Sequence, residues 1–168
     1  LRPGTPFFFP AFSSEIHFEC ELVVKINRVG KNIAEKFARK YYSEIGLGID
    51  LTARDLQKIC KKNGHPWEIA KSFEGSAPIS KEFLNKEKLN LENIEFRLKQ
   101  NGKIVQHGNS KNMIFNIDHL ISYVSKFMTL KKGDLIYTGT PEGVGSISVG
   151  DELVGYIGSQ EMFCLKVK

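Results

Sequence analysis

The sequence has few cysteines and no long hydrophobic run. Its three cysteines, Cys20, Cys60 and Cys164, lie far apart and form no Cys-x-x-Cys spacing, which argues against a disulfide scaffold or a zinc ribbon. No stretch of about 18 apolar residues occurs, and the first residues do not follow a signal-peptide pattern. We therefore expect a cytoplasmic protein with no membrane partner.

The absence of other sequence patterns excludes further classes of protein. It has no glycine period and no sustained heptad, which excludes collagen and coiled coil. Disorder is excluded because 12 Phe, 5 Tyr and a hydrophobic fraction of 41% supply a core. The 168 residues suffice for one substantial core, so we predict a single domain over 1–168. Because the chain starts at Leu1 rather than Met, we expect an N-terminal segment to be missing.

The charge is modestly positive, with 24 Lys and Arg against 19 Asp and Glu and a net charge of +5. The lysines are scattered or stand in short pairs, such as Lys61-Lys62, and no basic surface interleaved with aromatics is indicated. We predict no nucleic-acid partner. The positive balance suits a small anionic substrate.

The hydrophobic pattern predicts an α+β fold with more strand than helix and no βαβ rhythm. A two-residue period predicts a strand over 17–26, and a four-residue period predicts a helix over 32–45 that Gly46 stops. Residues 47–51 read as a short buried strand. Thr52 to Asp55 resemble a capping box that opens a second helix, which ends at Asn63-Gly64.

The rest of the chain alternates strands and turns around one more helix. Residues 64–80 read as a loop. Asn101-Gly102 predicts a tight hairpin, and residues 118–128 predict a helix. Further strands are expected over 135–138 and 153–157 and at the C-terminal end.

Two carboxylates share one face of the first strand. Glu19 and Glu21 lie about 6.6 Å apart along it, where two charges repel by roughly 2.5 kcal/mol at an effective dielectric near 20. A solvated face would relieve this repulsion, and a divalent cation would turn it into attraction. Both interpretations stay open on spacing alone. Asp50, at the end of a buried strand, is the best third ligand, although spacing cannot show that it meets the other two.

The remaining candidates are polar groups, and each has a structural interpretation beside the functional one. Arg54 and Gln57 share a helical face and suit a carboxylate, or are merely exposed. Lys71 stands between apolar residues and could be a snorkelling surface lysine. The Gly-rich segment 138–145 could form an anion-binding nest or a tight turn.

Together these segments resemble the fumarylacetoacetate hydrolase family, in particular its small acylpyruvase and oxaloacetate decarboxylase-type members. The resemblance runs from about residue 16 to 168. Its motifs in this sequence are Ile16-His17-x-Glu19-x-Glu21-Leu22, Asp50-x-Thr52-Ala53-Arg54-Asp55-x-Gln57, Pro66-Trp67, Ala70-Lys71-Ser72-Phe73, Asn101-Gly102, Met113-Ile114-Phe115, Tyr123-Val124-Ser125, and Thr129-Leu130-x-x-Gly133-Asp134 through Thr138-Gly139-Thr140-Pro141-x-Gly143-Val144-Gly145.

The resemblance implies a β-rich mixed-sheet roll with flanking helices, similar to the C-terminal domain of fumarylacetoacetase, assembled as a homodimer. It implies one Mg²⁺ or Mn²⁺ per subunit, held by Glu19, Glu21 and Asp50. It also implies a small anionic keto-acid substrate. The positions that match substrate contacts are Arg54, Gln57 and Thr140, and Lys71 matches the catalytic lysine that stabilises developing negative charge.

The implied reaction is metal-dependent cleavage of a C–C bond in a small 2-keto or 1,3-dioxo acid, either acylpyruvate hydrolysis or oxaloacetate decarboxylation. Both pass through an enolate that a metal stabilises. Hydrolysis also needs a base for water, which the family provides as a His-x-x-Glu pair. No such pair precedes Glu19 here, and we expect it in the missing segment. An isomerase or tautomerase at the same metal site, and a non-catalytic keto-acid-binding protein, remain alternatives.

Overall fold

Eleven strands and four α-helices form the fold in the computed structural model, which describes residues 1–168. The strands are β1 Ile16–Phe18, β2 Cys20–Ile26, β3 Tyr42–Ile49, β4 Thr52–Ala53, β5 Leu84–Asn85, β6 Glu95–Gln100, β7 Lys103–Asn109, β8 Leu135–Tyr137, β9 Gly145–Ser146, β10 Glu152–Ile157 and β11 Gln160–Lys166. The helices are α1 Glu35–Ala38, α2 Arg54–Asn63, α3 Glu68–Lys71 and α4 Ile117–Phe127.

The strands form three sheets, in the orders β4-β1-β9, β11-β10-β6-β7 and β5-β3-β2-β8. The strand pairs within them are antiparallel. The predicted α+β class, rich in strand, is confirmed. The parallel pairing expected of a mixed sheet is limited to an isolated bridge between Phe7 and Val167.

The first predicted strand forms the centre of the core. Its expected apolar face is almost completely buried, since each of its five side chains is at most 1% exposed: Phe18, Cys20, Leu22, Val24 and Ile26. The strand is interrupted at Glu19, which separates β1 from β2. The two-residue period thus identified the buried face correctly, and the interruption is the feature that it missed.

The predicted helix over 32–45 is wrong. The structure has only the short helix α1 there, followed by β3, which pairs with β2 along its whole length. A spacing of four residues is also an even spacing, so it fits one face of a strand as well as one face of a helix. Gly46 lies inside β3 rather than at a helix end, and a Cβ atom there would lie 2.7 Å from the ring of Phe83.

The predicted second helix is present as α2, and its end is confirmed, because Gly64 caps it in the left-handed conformation with φ of +66°. The predicted capping box is wrong. The N-cap residue is Ala53, with no side-chain cap, and the Thr52 hydroxyl accepts a hydrogen bond from Lys71 instead. The segment 64–80 is mostly loop, but it contains α3.

Of the predicted strand 47–51, only 47–49 are strand, as the end of β3. The predicted hairpin, last helix and C-terminal strands agree with the structure. Asn101 and Gly102 have φ of +51° and +80° and join β6 to β7 in a tight hairpin. The predicted helix over 118–128 is α4, and the C-terminal strands are β8, β10 and β11. No helix is at once long enough and apolar enough to cross a membrane.

Candidate functional site

The site forms where two neighbouring strands are interrupted at the same level. His17 of β1 pairs with Thr52 of β4, and Cys20 of β2 pairs with Ile49 of β3. Glu19 and Asp50 lie between these pairs, outside both strands, and the main-chain N–H of Asp50 donates to the carbonyl of Glu19 over 2.8 Å. The antiparallel register therefore places Asp50 opposite Glu19.

Three carboxylates converge at this interruption. One oxygen from each of Glu19, Glu21 and Asp50 lies within 4.8 Å of the others. Glu21 is 5% exposed, whereas Glu19 and Asp50 are half-buried. The structure thus brings together the three residues predicted as metal ligands, including Asp50, whose proximity the spacing left open.

Two cationic side chains face the carboxylates. Arg54, at the start of α2, donates through one terminal nitrogen to Oε1 of Glu19 over 2.6 Å. Lys71, at the end of α3, donates to Oε2 of Glu19 over 2.8 Å and to Oδ2 of Asp50 over 2.6 Å. Its third contact is the Thr52 hydroxyl at 2.6 Å. All three ammonium protons of Lys71 are therefore engaged.

These contacts and burial shift the pKa values of the three acids in different directions. Burial tends to raise the pKa of Glu19, but the hydrogen bonds and charges of Lys71 and Arg54 outweigh it, so this pKa lies below its ordinary value. Burial raises the pKa of Asp50 against the opposing effect of Lys71. Burial, with the nearby charges of Asp50 and Glu19, raises the pKa of Glu21 to about 7 despite the hydrogen bond from Gly139.

Lys71 remains an ammonium in this arrangement. Burial tends to lower its pKa, but the hydrogen bonds to Asp50 and Glu19 outweigh that effect and hold the pKa above its ordinary value. A lysine with a raised pKa cannot accept a proton near neutral pH. Lys71 is therefore suited to stabilising negative charge rather than to acting as a base.

The donor set fits a hard divalent cation. Three carboxylates face two cationic side chains, so the cluster carries one excess negative charge when all three acids are ionised. Oε1 of Glu21 and Oδ1 of Asp50 accept no hydrogen bond from the protein. Oxygen donors of this kind are what Mg²⁺ and Mn²⁺ prefer, and such a cation would relieve the repulsion of Glu21 by Asp50 and Glu19 that adds to the effect of burial on its pKa.

Arg54 and Gln57 present hydrogen-bond donors beside the carboxylates. Arg54 donates to Oε1 of Gln57 over 2.7 Å and, through Nε, to Nδ1 of His17 over 3.4 Å. With the contact to Glu19, three of its five N–H groups are used and two are left. The amide nitrogen of Gln57 makes no hydrogen bond within the chain, so this pair can bind a carboxylate or keto oxygen.

The segment 138–145 lies along β2 and closes the site from the side of Glu21. The main-chain N–H of Gly139 donates to Oε2 of Glu21 over 2.6 Å, and the Thr140 hydroxyl donates to the carbonyl of Cys20 over 2.9 Å. The segment therefore gives a single main-chain N–H to an anion, which is a side chain of the protein, and not the successive N–H groups of the predicted nest. All seven predicted site residues lie in or beside this cluster.

Sequence reasoning missed three neighbours of the site. Gln106 of β7 donates to Thr140, Tyr137 packs its ring against Gly48 of β3, and Thr52 binds Lys71. Gln106 and Tyr137 carry no local pattern that marks them, because their positions depend on pairing between distant strands. Thr52 belongs to the motif that begins at Asp50, but the sequence pattern there predicts a helix cap rather than a contact with Lys71.

Comparisons with known proteins define the class to which this fold and site belong. The family model described as fumarylacetoacetate (FAA) hydrolase C-terminal matches residues 1–166. The chain belongs to the fumarylacetoacetate hydrolase family, as its motifs predicted.

Two curated relatives are similar over most of the chain. The oxaloacetate tautomerase FAHD1, mitochondrial, of Mus musculus is 45% identical over 166 residues, which is 98% of this chain and 75% of that protein. The oxaloacetate decarboxylase, mitochondrial, of Dictyostelium discoideum is 44% identical over 152 residues, which is 89% of this chain and 69% of that protein. Because both relatives are named as mitochondrial, the cytoplasmic location stays a prediction.

A solved structure adds a ligand-bound example of the fold. The fumarylpyruvate hydrolase from Pseudomonas aeruginosa, in complex with Mn²⁺ and pyruvate, superposes with a TM-score of 0.91 at 32% identity. The match covers 98% of this chain and 72% of that one. The fold similar to the C-terminal part of fumarylacetoacetase is thereby confirmed.

Proposed function

We propose that this protein is a divalent-metal-dependent enzyme that converts a small 2-keto acid of the oxaloacetate type through an enolate. The observation that carries the proposal is the buried cluster of Glu19, Glu21 and Asp50, partly neutralised by Arg54 and Lys71. The named relatives support it, since two are named for reactions of oxaloacetate and a third holds Mn²⁺ and pyruvate.

Substrate binding is assigned to the donors that the protein leaves free. The two remaining N–H groups of Arg54 and the amide of Gln57 would bind a substrate carboxylate or keto oxygen. Because Arg54 is also bonded to Glu19, the guanidinium has a defined orientation before substrate arrives. Such preorganisation favours binding of the reacting conformation.

Stabilisation of the enolate is assigned to Lys71. Its ammonium would exchange one of its present contacts for the substrate oxygen on which negative charge develops. A divalent cation bound by Glu19, Glu21 and Asp50 would supply Lewis-acid stabilisation of the same charge. The positive side chains explain why an anionic substrate suits a site lined by three acids.

We place keto–enol tautomerisation of oxaloacetate first, ahead of the C–C cleavage that the motifs favoured. Tautomerisation breaks no C–C bond: a base removes a proton from the carbon beside the ketone, and a proton is returned to the oxygen of the stabilised enolate. The Mus musculus relative is named for this reaction. Oxaloacetate decarboxylation is the second candidate, because it forms pyruvate enolate on the same groups and the Dictyostelium discoideum relative is named for it. Hydrolysis would also require a base for water; the ring nitrogens of His17 are both engaged, by Glu15 and Arg54.

The test is to follow oxaloacetate with purified protein and Mg²⁺ or Mn²⁺. Interconversion of enol and ketone, measured by nuclear magnetic resonance without release of pyruvate, supports tautomerisation. Pyruvate and CO₂ support decarboxylation. Glu21→Gln should abolish either activity, whereas Glu44→Gln, which alters an ion pair with Lys25 elsewhere on β3, should not. Full activity in Glu21→Gln, or activity that chelators leave unchanged, would contradict the proposal.

The predicted homodimer is part of the proposal and needs its own measurement. Sedimentation of the purified protein should give twice the mass of 19.0 kDa. A fully active monomer would contradict the predicted homodimer but not the proposed reaction.

A further inference from the structure

Gln106 connects two parts of the site that are far apart in sequence. Its side chain is 2% exposed. Oε1 accepts the main-chain N–H of Cys20 over 2.9 Å, and Nε2 donates to Oγ1 of Thr140 over 2.9 Å and to the carbonyl of Pro141 over 3.0 Å. The amide thus joins β2, which begins directly after Glu19 and contains Glu21, to the segment 138–145.

A β-bulge directs Gln106 to this position. In the pairing of β6 with β7, Leu98 lies opposite Gln106 and Lys99 lies opposite Ile104, so Val105 is an extra residue. Bulges of this kind redirect side chains and are frequent beside functional sites. The segment 138–145 fits closely against the bulge, because Gly143 has φ of +96° and a Cβ atom there would collide with the carbonyl of Val105.

The hydroxyl of Thr140 is fully committed within the protein. It accepts from Gln106 and donates its only proton to the carbonyl of Cys20. A substrate carboxylate or keto oxygen accepts hydrogen bonds and therefore needs a donor. The main-chain N–H of Thr140 has no acceptor within the chain, and it follows Gly139, whose own N–H is directed at Glu21.

We propose that Gln106 is a positioning residue, which holds Thr140 so that its main-chain N–H, and not its hydroxyl, donates to a substrate oxygen. The inference rests on the proposed function, and it takes the assignment of Thr140 to substrate binding from the family motifs. Gln106 itself acts only through Thr140 and Pro141. Loss of its amide should therefore weaken substrate binding while leaving the carboxylate cluster able to bind metal.

The first experiment compares Gln106→Met with Gln100→Met. Gln100 also lies in the β6–β7 hairpin, but its amide donates to Ser146 and Asp151, beyond the end of the segment 138–145, and contacts neither Thr140 nor the carboxylate cluster. Gln106→Met should raise KM for oxaloacetate on the order of tenfold, as expected from loss of the two hydrogen bonds that hold Thr140 and Pro141, with a smaller change in kcat and an unchanged Kd for Mn²⁺. Gln100→Met should change none of the three. An unchanged KM, or a Kd for Mn²⁺ that rises as much as KM, would overturn the proposal.

A double-mutant cycle tests whether Gln106 acts through Thr140. Thr140→Val removes the hydroxyl that Gln106 holds and leaves only the contact with Pro141, so adding Gln106→Met to it should raise KM by less than Gln106→Met does alone. If the effects of Gln106→Met and Thr140→Val on KM are fully additive, Gln106 does not act through Thr140. If Gln106→Met does not fold, Gln106→Asn, which keeps an amide but is too short for the contacts, takes its place in both experiments.

A second readout does not depend on turnover. In the metal-free protein, hydrogen exchange at the amides of Thr138 and Gly139 should be faster in Gln106→Met and unchanged in Gln100→Met. If the wild-type protein converts no keto acid, the proposed function fails, and this exchange measurement still decides whether Gln106 holds the segment. Equal exchange in Gln106→Met and wild type would overturn the positioning role.

Discussion

The ammonium nitrogen of Lys71 lies 2.6 Å from Oδ2 of Asp50, across 21 positions of sequence. The same nitrogen binds Glu19, so Lys71 contacts two of the three acids assigned to a metal. In the protein without metal, Lys71 supplies part of the positive charge that these acids need. It therefore has two effects on the site, since it stabilises the carboxylates and competes for their oxygens.

This relationship predicts the behaviour of Lys71→Met. Removing the ammonium should lower kcat on the order of 100- to 1,000-fold, as expected for loss of a group that stabilises transition-state charge. Affinity for Mn²⁺, measured by titration calorimetry, should be equal or higher, because a competing cation is gone. Lys62→Met, on the exposed surface of α2, is the control. Loss of Mn²⁺ binding in Lys71→Met would show that the lysine is needed to build the metal site.

Glu21 predicts a dependence of stability on pH in the metal-free protein. Its pKa of about 7 in the folded chain exceeds the ordinary value of about 4.3 in an unfolded one. Between these values the folded state holds a proton that the unfolded state has lost, so stability falls as pH rises. The decrease from this group is at most about 4 kcal/mol, and it ends above the folded pKa.

The variant Glu21→Gln isolates this effect, because an amide cannot ionise but can still accept from Gly139. Urea unfolding of both proteins with a chelator present should show that the wild type loses stability relative to Glu21→Gln as pH rises from about 5 to 8. A difference between the two proteins that is constant, or that changes in the opposite direction, would refute the raised pKa.

Metal addition should stabilise the protein. At a free Mn²⁺ concentration of about 100 times Kd, binding to the folded state alone adds about 2.7 kcal/mol. For a chain of this size, this raises Tm by roughly 5–10 °C. Asp50→Asn should lose most of the shift, and Asp134→Asn, in a turn away from the site, should keep it. Equal shifts in both variants would place the ion elsewhere.

Much of the fold could be predicted where the pattern is local. The buried face of β2 follows from its two-residue period, and the hairpin at Asn101-Gly102 follows from turn chemistry. The segment that forms β3 was misassigned because its state depends on pairing with β2 along its length. Its glycines have a long-range role as well, since Gly48 leaves room for the ring of Tyr137, and no local signal shows which ring packs there.

The site could be predicted in part from spacing and otherwise only from the family motifs. Glu19 and Glu21 are close because they stand two residues apart at the start of β2. Asp50 meets them through strand register, and Lys71 meets Glu19 across 52 positions, so neither contact is visible in the local sequence. Gln106 was missed for a related reason. Its direction depends on an extra residue in a sheet pairing, and such bulges have no consistent sequence pattern.

Arg54→Lys tests whether the planar guanidinium is required. Arg54 contacts His17, Gln57 and Glu19 through three different nitrogens, and a lysine ammonium at this position could not match that geometry. We expect KM for an anionic keto acid to rise about 30- to 100-fold, which corresponds to about 2–3 kcal/mol for charged hydrogen bonds. Arg39→Lys, whose ion pairs with Glu92 and Asp118 lie away from the site, should leave KM unchanged. Since the positive charge is kept in both variants, wild-type KM in Arg54→Lys would mean that charge alone binds the substrate.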